Sequence, residues 1–519
     1  MTYESPMTDL GRLEDQQAML VLAEFIDHAS DTSNSEQAKL ALKLCDELAK
    51  RVQGTLKVEL YYFRANAWSV IRHVKHKDES TIWLWDQDEL LQEVYWLRSA
   101  IRSDDFGDLS EVRQCQILVN TGNILSHIGR LIEAIEYWQR ALNILPNFGM
   151  AMVNLGLGYE TYAKMLYDQG HAVVIFKEAY DVLTGISNQR ILWEDNEFEI
   201  IKKQMLGRAS QIAEHVDFSA LDNISLDGFS LGKSKVEQNY RQWTLDNSLY
   251  INPLNEIGTF SIAAQDVMHL PSMITNIDEP PYLFGFYNQL KQEYVSARYL
   301  LWEGITESEK YNKHFSDNDV YLLNTLDSTA YGLAIEQIKI AFRSTYSLFD
   351  KIAYFVNDYW GLKIPEAKKI NFQSVWVDTH KGVKQLRSEF MKYPNLSLRG
   401  LYWISKDFIE QDNSNELVLG KTMEPEADKL RTIRNHLEHK YLKVHDNMWG
   451  YTDEKWGSFF SDQLAYHISH EELSQKTIRL IKMARAALMY LSMAVHQREK
   501  MKAKEMSGIS IPFDLPKWE

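Results

Sequence analysis

Apolar residues recur at three- and four-residue intervals along most of this chain, the spacing that turns one stripe of a helix toward a core. The runs from Leu13 to Ala29 and from Glu36 to Arg51 follow it, and each predicts an amphipathic helix. Between Cys115 and Pro146 the pattern is more specific. Gly122 and Leu125 fall on one predicted helix, Ala134, Trp138 and Ala141 on a second, and Gly129-Arg130 makes the turn between them. A small residue on the first helix lets the second approach, large residues fill the groove, and Pro146 stops the second helix. The next unit repeats the scheme more loosely. Leu155, Gly156 and Tyr159 are followed by Ala172, Phe176 and Ala179 across a short insertion around Tyr167–Gly170. Upstream, Tyr62, Ala65 and Trp68 with Leu97 and Ala100 form a degenerate copy. One such unit cannot bury its own face, so at least three should stack, and residues 1–215 are expected to form a helical solenoid.

The Gly122–Trp138–Pro146 spacing resembles the tetratricopeptide repeat, which implies a surface for a peptide, a protein or the neighbouring domain. From Asp217 to about Leu270 the periodicity fades and Asp, Asn, Ser, Gly and Pro become frequent. Phe218, Leu221, Trp243, Leu249, Ile251 and Phe260 persist there, so 216–280 reads as an ordered connector. Helical patterning returns at Phe284–Ile305 and again at Thr329–Trp360. The second of these carries Ile335, Ile338, Phe342, Tyr346, Phe349, Ile352 and Phe355 on one stripe. Leu362–Gly420 is mixed and is expected to be an insertion with a short helix over Leu401–Ile409. Pro425 opens a helix expected to reach about Val444, Glu472–Lys502 forms a final long one, and 506–519 should be an extended tail. The expectation is an all-α protein: a solenoid, a connector, and a helical bundle over 281–505 with an insertion near 362–420.

Composition agrees. The chain is 45% hydrophobic and 12% aromatic, and only 24 glycines and 11 prolines interrupt its 519 residues. A net charge of -16 argues against a protein that coats nucleic acid non-specifically, and leaves any RNA binding to a local basic cleft. The two cysteines, Cys45 and Cys115, exclude a disulfide framework and a four-thiolate zinc site. No apolar run approaches the ~20 residues that span a bilayer, and Met1–Arg12 lacks a basic-then-apolar leader pattern. A cytoplasmic protein with no membrane contact is expected.

The candidate chemistry lies in Leu430–Tyr441. Arg434 offers a permanent forked cation suited to a phosphate, and His439 exchanges protons near neutral pH. Asn435 is four residues before His439 and is placed to orient its imidazole. On the expected helix Leu430, Ile433, Leu437, Tyr441 and Val444 share the apolar stripe, and Arg434 sits at its edge. His439 lies about 140° further round, so one copy cannot aim both groups at one point. A two-fold dimer would bring each arginine to the histidine of the other copy. Lys429, Arg431, Arg434, Lys440 and Lys443 outnumber Glu426, Asp428 and Glu438 locally. The bland alternatives are an Arg434–Glu438 surface pair and a solvated His439. Arg431-x4-His436 has the same spacing without the asparagine, and ranks second. Metal ligation by His436, His439 and His445, or by His467 and His470, is disfavoured, because His436-Leu-Glu-His439 is not the His-Glu-x-x-His of metalloproteases. No metal and no cofactor are expected.

Arg434-Asn435-x3-His439 on a late helix resembles the R-x4-H motif of HEPN domains, over about Tyr282–Met501. The fusion to repeats, Asn252-Pro-Leu-Asn255 and Asn288–Glu293 resemble a bacterial tetratricopeptide–HEPN group. The resemblance implies a dimeric, metal-independent endoribonuclease of phage defence or toxin–antitoxin systems. In it Arg434 would hold the scissile phosphate and His439 would act as general acid or base. Asn435 would orient His439 or touch RNA. Arg431, Lys440 and Lys443 would contact RNA, and Tyr441 would be a regulatory position, adenylylated in some relatives. A catalytically inactive bundle, used with the repeats as a protein-binding scaffold, is the rival expectation.

Overall fold

The computed structural model describes residues 10–188, 190–193, 198–276, 278–310, 313–325, 327, 329–380, 383–409, 423–446, 464–506, 511, 515 and 516. The protein is all-α, with two two-stranded sheets as minor additions among the described residues. Helices α1 (Asp15–Asp31), α2 (Ser35–Leu48), α3 (Thr55–Lys75), the one-turn α4 (Glu79–Ile82) and α5 (Asp88–Ile101) open the chain. They are followed by α6 (Glu111–His127), α7 (Leu131–Ile144), α8 (Gly149–Met165), α9 (Gln169–Gly185) and α10 (Phe198–His215). Short turns join α1 to α2, α6 to α7 and α8 to α9 as packed hairpins. Side-chain caps start several of them: Asn34 accepts from the Gln37 N–H, Ser110 from Arg113 and Asp168 from His171. The expected small-against-large packing is present. Trp138 lies over both Gly122 and Gly158, where an added Cβ would meet the indole at 2.4 and 2.3 Å.

The connector carries a helix that its polar sequence did not announce, α11 (Lys235–Asp246). Its Asn252–Glu256 turn is buried. Asn252 accepts from the Leu254 N–H at 3.0 Å, and Asn255 accepts from Tyr250 and donates to the Leu245 carbonyl at 3.2 Å. Next come α12 (Tyr282–Glu309), α13 (Leu333–Tyr359), the hairpin β1 (Val377–His380) with β2 (Val383–Leu386), the one-turn α14 (Ser388–Met391), α15 (Leu396–Ser405) and α16 (Ala427–His439). Then β3 (Tyr441–His445) pairs in parallel with β4 (Ala465–Ser469), and α17 (His470–Glu505) closes the bundle. Among the described residues no helix is long and apolar enough to cross a membrane.

Helix α17 is the axis of the fold. Every residue from Met483 to Val495 is buried, and its polar members tie three regions together. Arg485 pairs with Glu256 of the connector at 2.5 Å and donates to the Tyr250 carbonyl. The Tyr490 hydroxyl donates to Glu133 of α7 at 2.6 Å and accepts from the Ile132 N–H. Ser492 donates to the His269 carbonyl. One continuous apolar core therefore runs from Trp85 to Val495, and a second, smaller one lies under α1–α3.

Two expectations change. The segment expected to be an insertion contributes α15 to the core, with Leu398, Leu401, Tyr402, Trp403 and Ile404 all buried. Its Arg399 is buried with them and donates to the His127 and Leu84 carbonyls. Residues 410–420 of that segment lie outside the described residues, as does most of the expected tail. The helix expected to reach Val444 ends at His439, because Lys440 leaves helical geometry (φ −135°, ψ −134°) and Tyr441–His445 pair as a strand.

At one point the two halves meet backbone to backbone. Gly129, at φ +90°, faces Gly400 of α15, and a Cβ on Gly400 would stand 2.2 Å from the Gly129 carbonyl oxygen. Gly400→Ala should lower unfolding free energy by about 3 kcal/mol in urea denaturation. Gly107→Ala, whose Cβ would meet nothing within 4 Å, should change it little. Equal midpoints for both variants would contradict this packing.

Candidate functional site

Helix α16 forms because Ala427, Leu430 and Ile433 give it a buried stripe, which packs against α13. Asp428 in its first turn and His436 and His439 in its last match the helix dipole. The apolar stripe stops with the helix. Leu442 and Val444 are buried through the strand instead, while Tyr441 is exposed rather than lying on a core stripe.

The motif residues have different surroundings. The Arg434 guanidinium stands 5.7 Å from the ring centroid of Tyr346 on α13, a cation–π contact, and its Nη1 donates to Asn435 Oδ1 at 3.2 Å. The expected pairing of Asn435 with His439 is thus replaced by a bond to Arg434. His439 is exposed at the last position of the helix, with no hydrogen-bond partner among the described residues. No hydrogen bond joins Arg434 to His439. Glu438, the alternative partner of Arg434, pairs with Arg343 of α13 at 3.2 Å.

Of the surrounding cations, Arg431 and Lys440 are exposed. Lys443 is not. It is 4% exposed and bound to Asp327 at 2.5 Å, so it is withdrawn from any RNA-facing surface. The second-ranked His436 is occupied structurally, with Nδ1 donating to the Thr432 carbonyl at 2.8 Å and its ring against Tyr466. His445 Nε2 meets His467 Nδ1 at 2.8 Å, and His470 bonds the Ser308 hydroxyl. Among the described residues no three His, Cys, Asp or Glu side chains gather as metal ligands.

Sequence reasoning missed the α13 side of the site. Arg343, Tyr346 and Asp350 recur at three- and four-residue spacing, with Tyr346 on the stripe and the other two at its edge, and each faces a residue of α16. Burial pushes the Asp350 carboxyl up, and its bond from the Phe372 N–H and the Arg434 charge oppose that shift. The helical spacing of these three was visible, but their apposition to residues some ninety positions later was not.

The C-terminal half is thus a helical bundle that presents a short arginine–asparagine–histidine motif at its rim. Residues 274–498 match the family model described as LA2681-like HEPN, which takes in α12, α13, α15, α16 and most of α17. The match supports the HEPN resemblance for this region. No curated protein and no solved structure matches the chain.

Proposed function

We propose that this protein is a metal-independent endoribonuclease of HEPN type, acting as a dimer in the cytoplasm, with tetratricopeptide-like repeats as its regulator. One observation carries the reading: Arg434, Asn435 and His439 fall within six residues of one helix in the region that matches a HEPN family model. Arg434 offers two donors to the non-bridging oxygens of a phosphate, where charge develops in the transition state. His439, open to solvent, accepts the proton of a ribose 2′-OH as that oxygen attacks phosphorus. The 5′ oxygen departs with a proton, leaving a 2′,3′-cyclic phosphate and a 5′-hydroxyl. Arg431 and Lys440 supply exposed positive charge to the backbone of the substrate. Arg98, Arg102 and Arg130, from the N-terminal half, bind carboxylates that lie between α15 and α16, which supports a regulatory role for that half in phage defence or in a toxin pair.

Purified protein incubated with total cellular RNA in EDTA should produce cuts ending in cyclic phosphate, detectable by end-specific ligation and sequencing. Chelator-sensitive cuts, or cuts with 3′-hydroxyl ends, would reject this mechanism. The absence of any cut would favour a scaffold.

A further inference from the structure

Beside His439 the surface carries two aromatic rings that the cleavage chemistry leaves unused. Tyr441 and Tyr331 are 37% and 47% exposed, and the neighbouring Tyr441 hydroxyl, after burial, raises the Tyr331 phenol above its ordinary value. Tyr441 opens β3, two residues beyond His439. Tyr331 arrives from the segment before α13, which is fixed to the same strand: Thr329 bridges to His445, and the Ala330 N–H donates to the Val444 carbonyl at 2.8 Å.

Beneath them lies a buried ion pair. Lys443 Nζ stands 5.2 Å from the Tyr441 ring centroid. Its partner Asp327 also accepts from the hydroxyls of Thr325 at 2.5 Å and Thr329 at 2.8 Å. Taking an ion pair out of water costs several kcal/mol per charge before the attraction repays it. A desolvated cation against an aromatic face also binds that ring more firmly than an exposed one. The pair therefore fixes the position of a ring that stays open to solvent. Beside phosphate chemistry, fixed and exposed rings suit a base that is not already stacked in a duplex, since every base presents a π face.

We infer that Tyr441 and Tyr331 form a stacking platform for an unpaired nucleobase of single-stranded RNA, next to the bond attacked at His439. The platform presupposes the ribonuclease reading of α16 and adds the two residues that hold an unpaired base beside the attacked bond.

The test measures binding apart from cleavage. Full-length protein carrying His439→Ala is titrated with a short fluorescent single-stranded RNA and with the same strand in a duplex, read by anisotropy. The single strand should bind more tightly. Adding Tyr441→Ala should weaken that binding about tenfold, adding Tyr331→Ala should weaken it in the same direction, and Tyr441→Phe, which keeps the ring, should lose less than Tyr441→Ala. Unchanged single-strand affinity in both alanine variants, a preference for duplex, or no RNA binding at all would each overturn the platform. Cleavage in EDTA by the otherwise unaltered protein is scored separately. Cuts without dependence on the tyrosines reject the platform alone, whereas tyrosine-dependent binding without cuts rejects the nuclease alone.

Discussion

Arg434→Ala and His439→Ala proteins, each inactive alone, should together recover about a quarter of wild-type cleavage when mixed in equal amounts as exchanging dimers. The two groups leave α16 about 140° apart. Arg434 is held against Tyr346 on α13, while His439 is exposed at the end of the helix. If a working site takes its arginine from one copy and its histidine from the other, a mixed dimer keeps one complete site and one doubly defective one. Random exchange makes roughly half the dimers mixed, which gives the quarter. If both groups act within one copy, the mixture stays as inactive as its components. Each single substitution should lower the rate by about 10²–10⁴-fold. His439→Ala should leave thermal stability unchanged, because its side chain is exposed and makes no hydrogen bond among the described residues.

The parts of this architecture that were legible are those in which local spacing carries the physics. Gly122 and Trp138 announced a hairpin because a missing side chain on one helix and an indole on the next are complementary, and the indole does fill that gap. The stripe from Ile335 to Phe355 announced α13 for the same reason. Short elements were less legible. In Tyr441–His445, Tyr441 and Val444 fit a helical stripe while Leu442 and Val444 fit an alternating strand, and five residues do not decide between them. The choice was made by pairing with Ala465–Ser469, some twenty residues away. Helix α11 lacks a strong apolar face, and only Thr244 and Leu245 of its residues are buried.

The candidate site divides along the same line. Arg434, Asn435 and His439 could be found because they lie within six residues. Tyr346, Asp350, Asp327 and Tyr331 could not, because the fold brings them there from separate segments. Lys443 shows the opposite failure. A lysine in a basic stretch reads as a surface cation, but the strand turns it inward to Asp327. Nor did any local pattern show that the N-terminal helices and the bundle share a core, since that follows from contacts such as Arg98 to Asp407, about three hundred residues apart.

That shared core leads to the largest expected effect on stability. Asp407, with no exposed side-chain surface, accepts from Arg98 at 2.6 Å and from Arg130 at 2.8 Å. Glu424, equally buried, takes Arg98 at 3.2 Å, Arg102 at 2.6 Å and Arg479. Glu426, at the start of α16, takes Lys476 at 2.6 Å. Removing one carboxylate leaves buried guanidiniums without their counter-charge, so Asp407→Asn should destabilise by about 3–5 kcal/mol. Glu36→Gln, which breaks an exposed pair with Lys39 one helical turn away, should change stability by less than about 1 kcal/mol. Burial alone would raise the Asp407 carboxyl, but the Arg130 and Arg98 charges outweigh it and hold the group at about 2, below its ordinary 3.8. A carboxyl with a depressed folded value stabilises fully above its unfolded value and loses that contribution as pH falls through the folded one. Wild-type stability should therefore fall between about pH 4 and pH 2. Asp407→Asn should start lower and fall less steeply there, with Glu426, also held at about 2, keeping part of the slope. Urea denaturation at a series of pH values separates the cases: parallel curves for wild type and variant would show that Asp407 does not carry this charge in the folded protein.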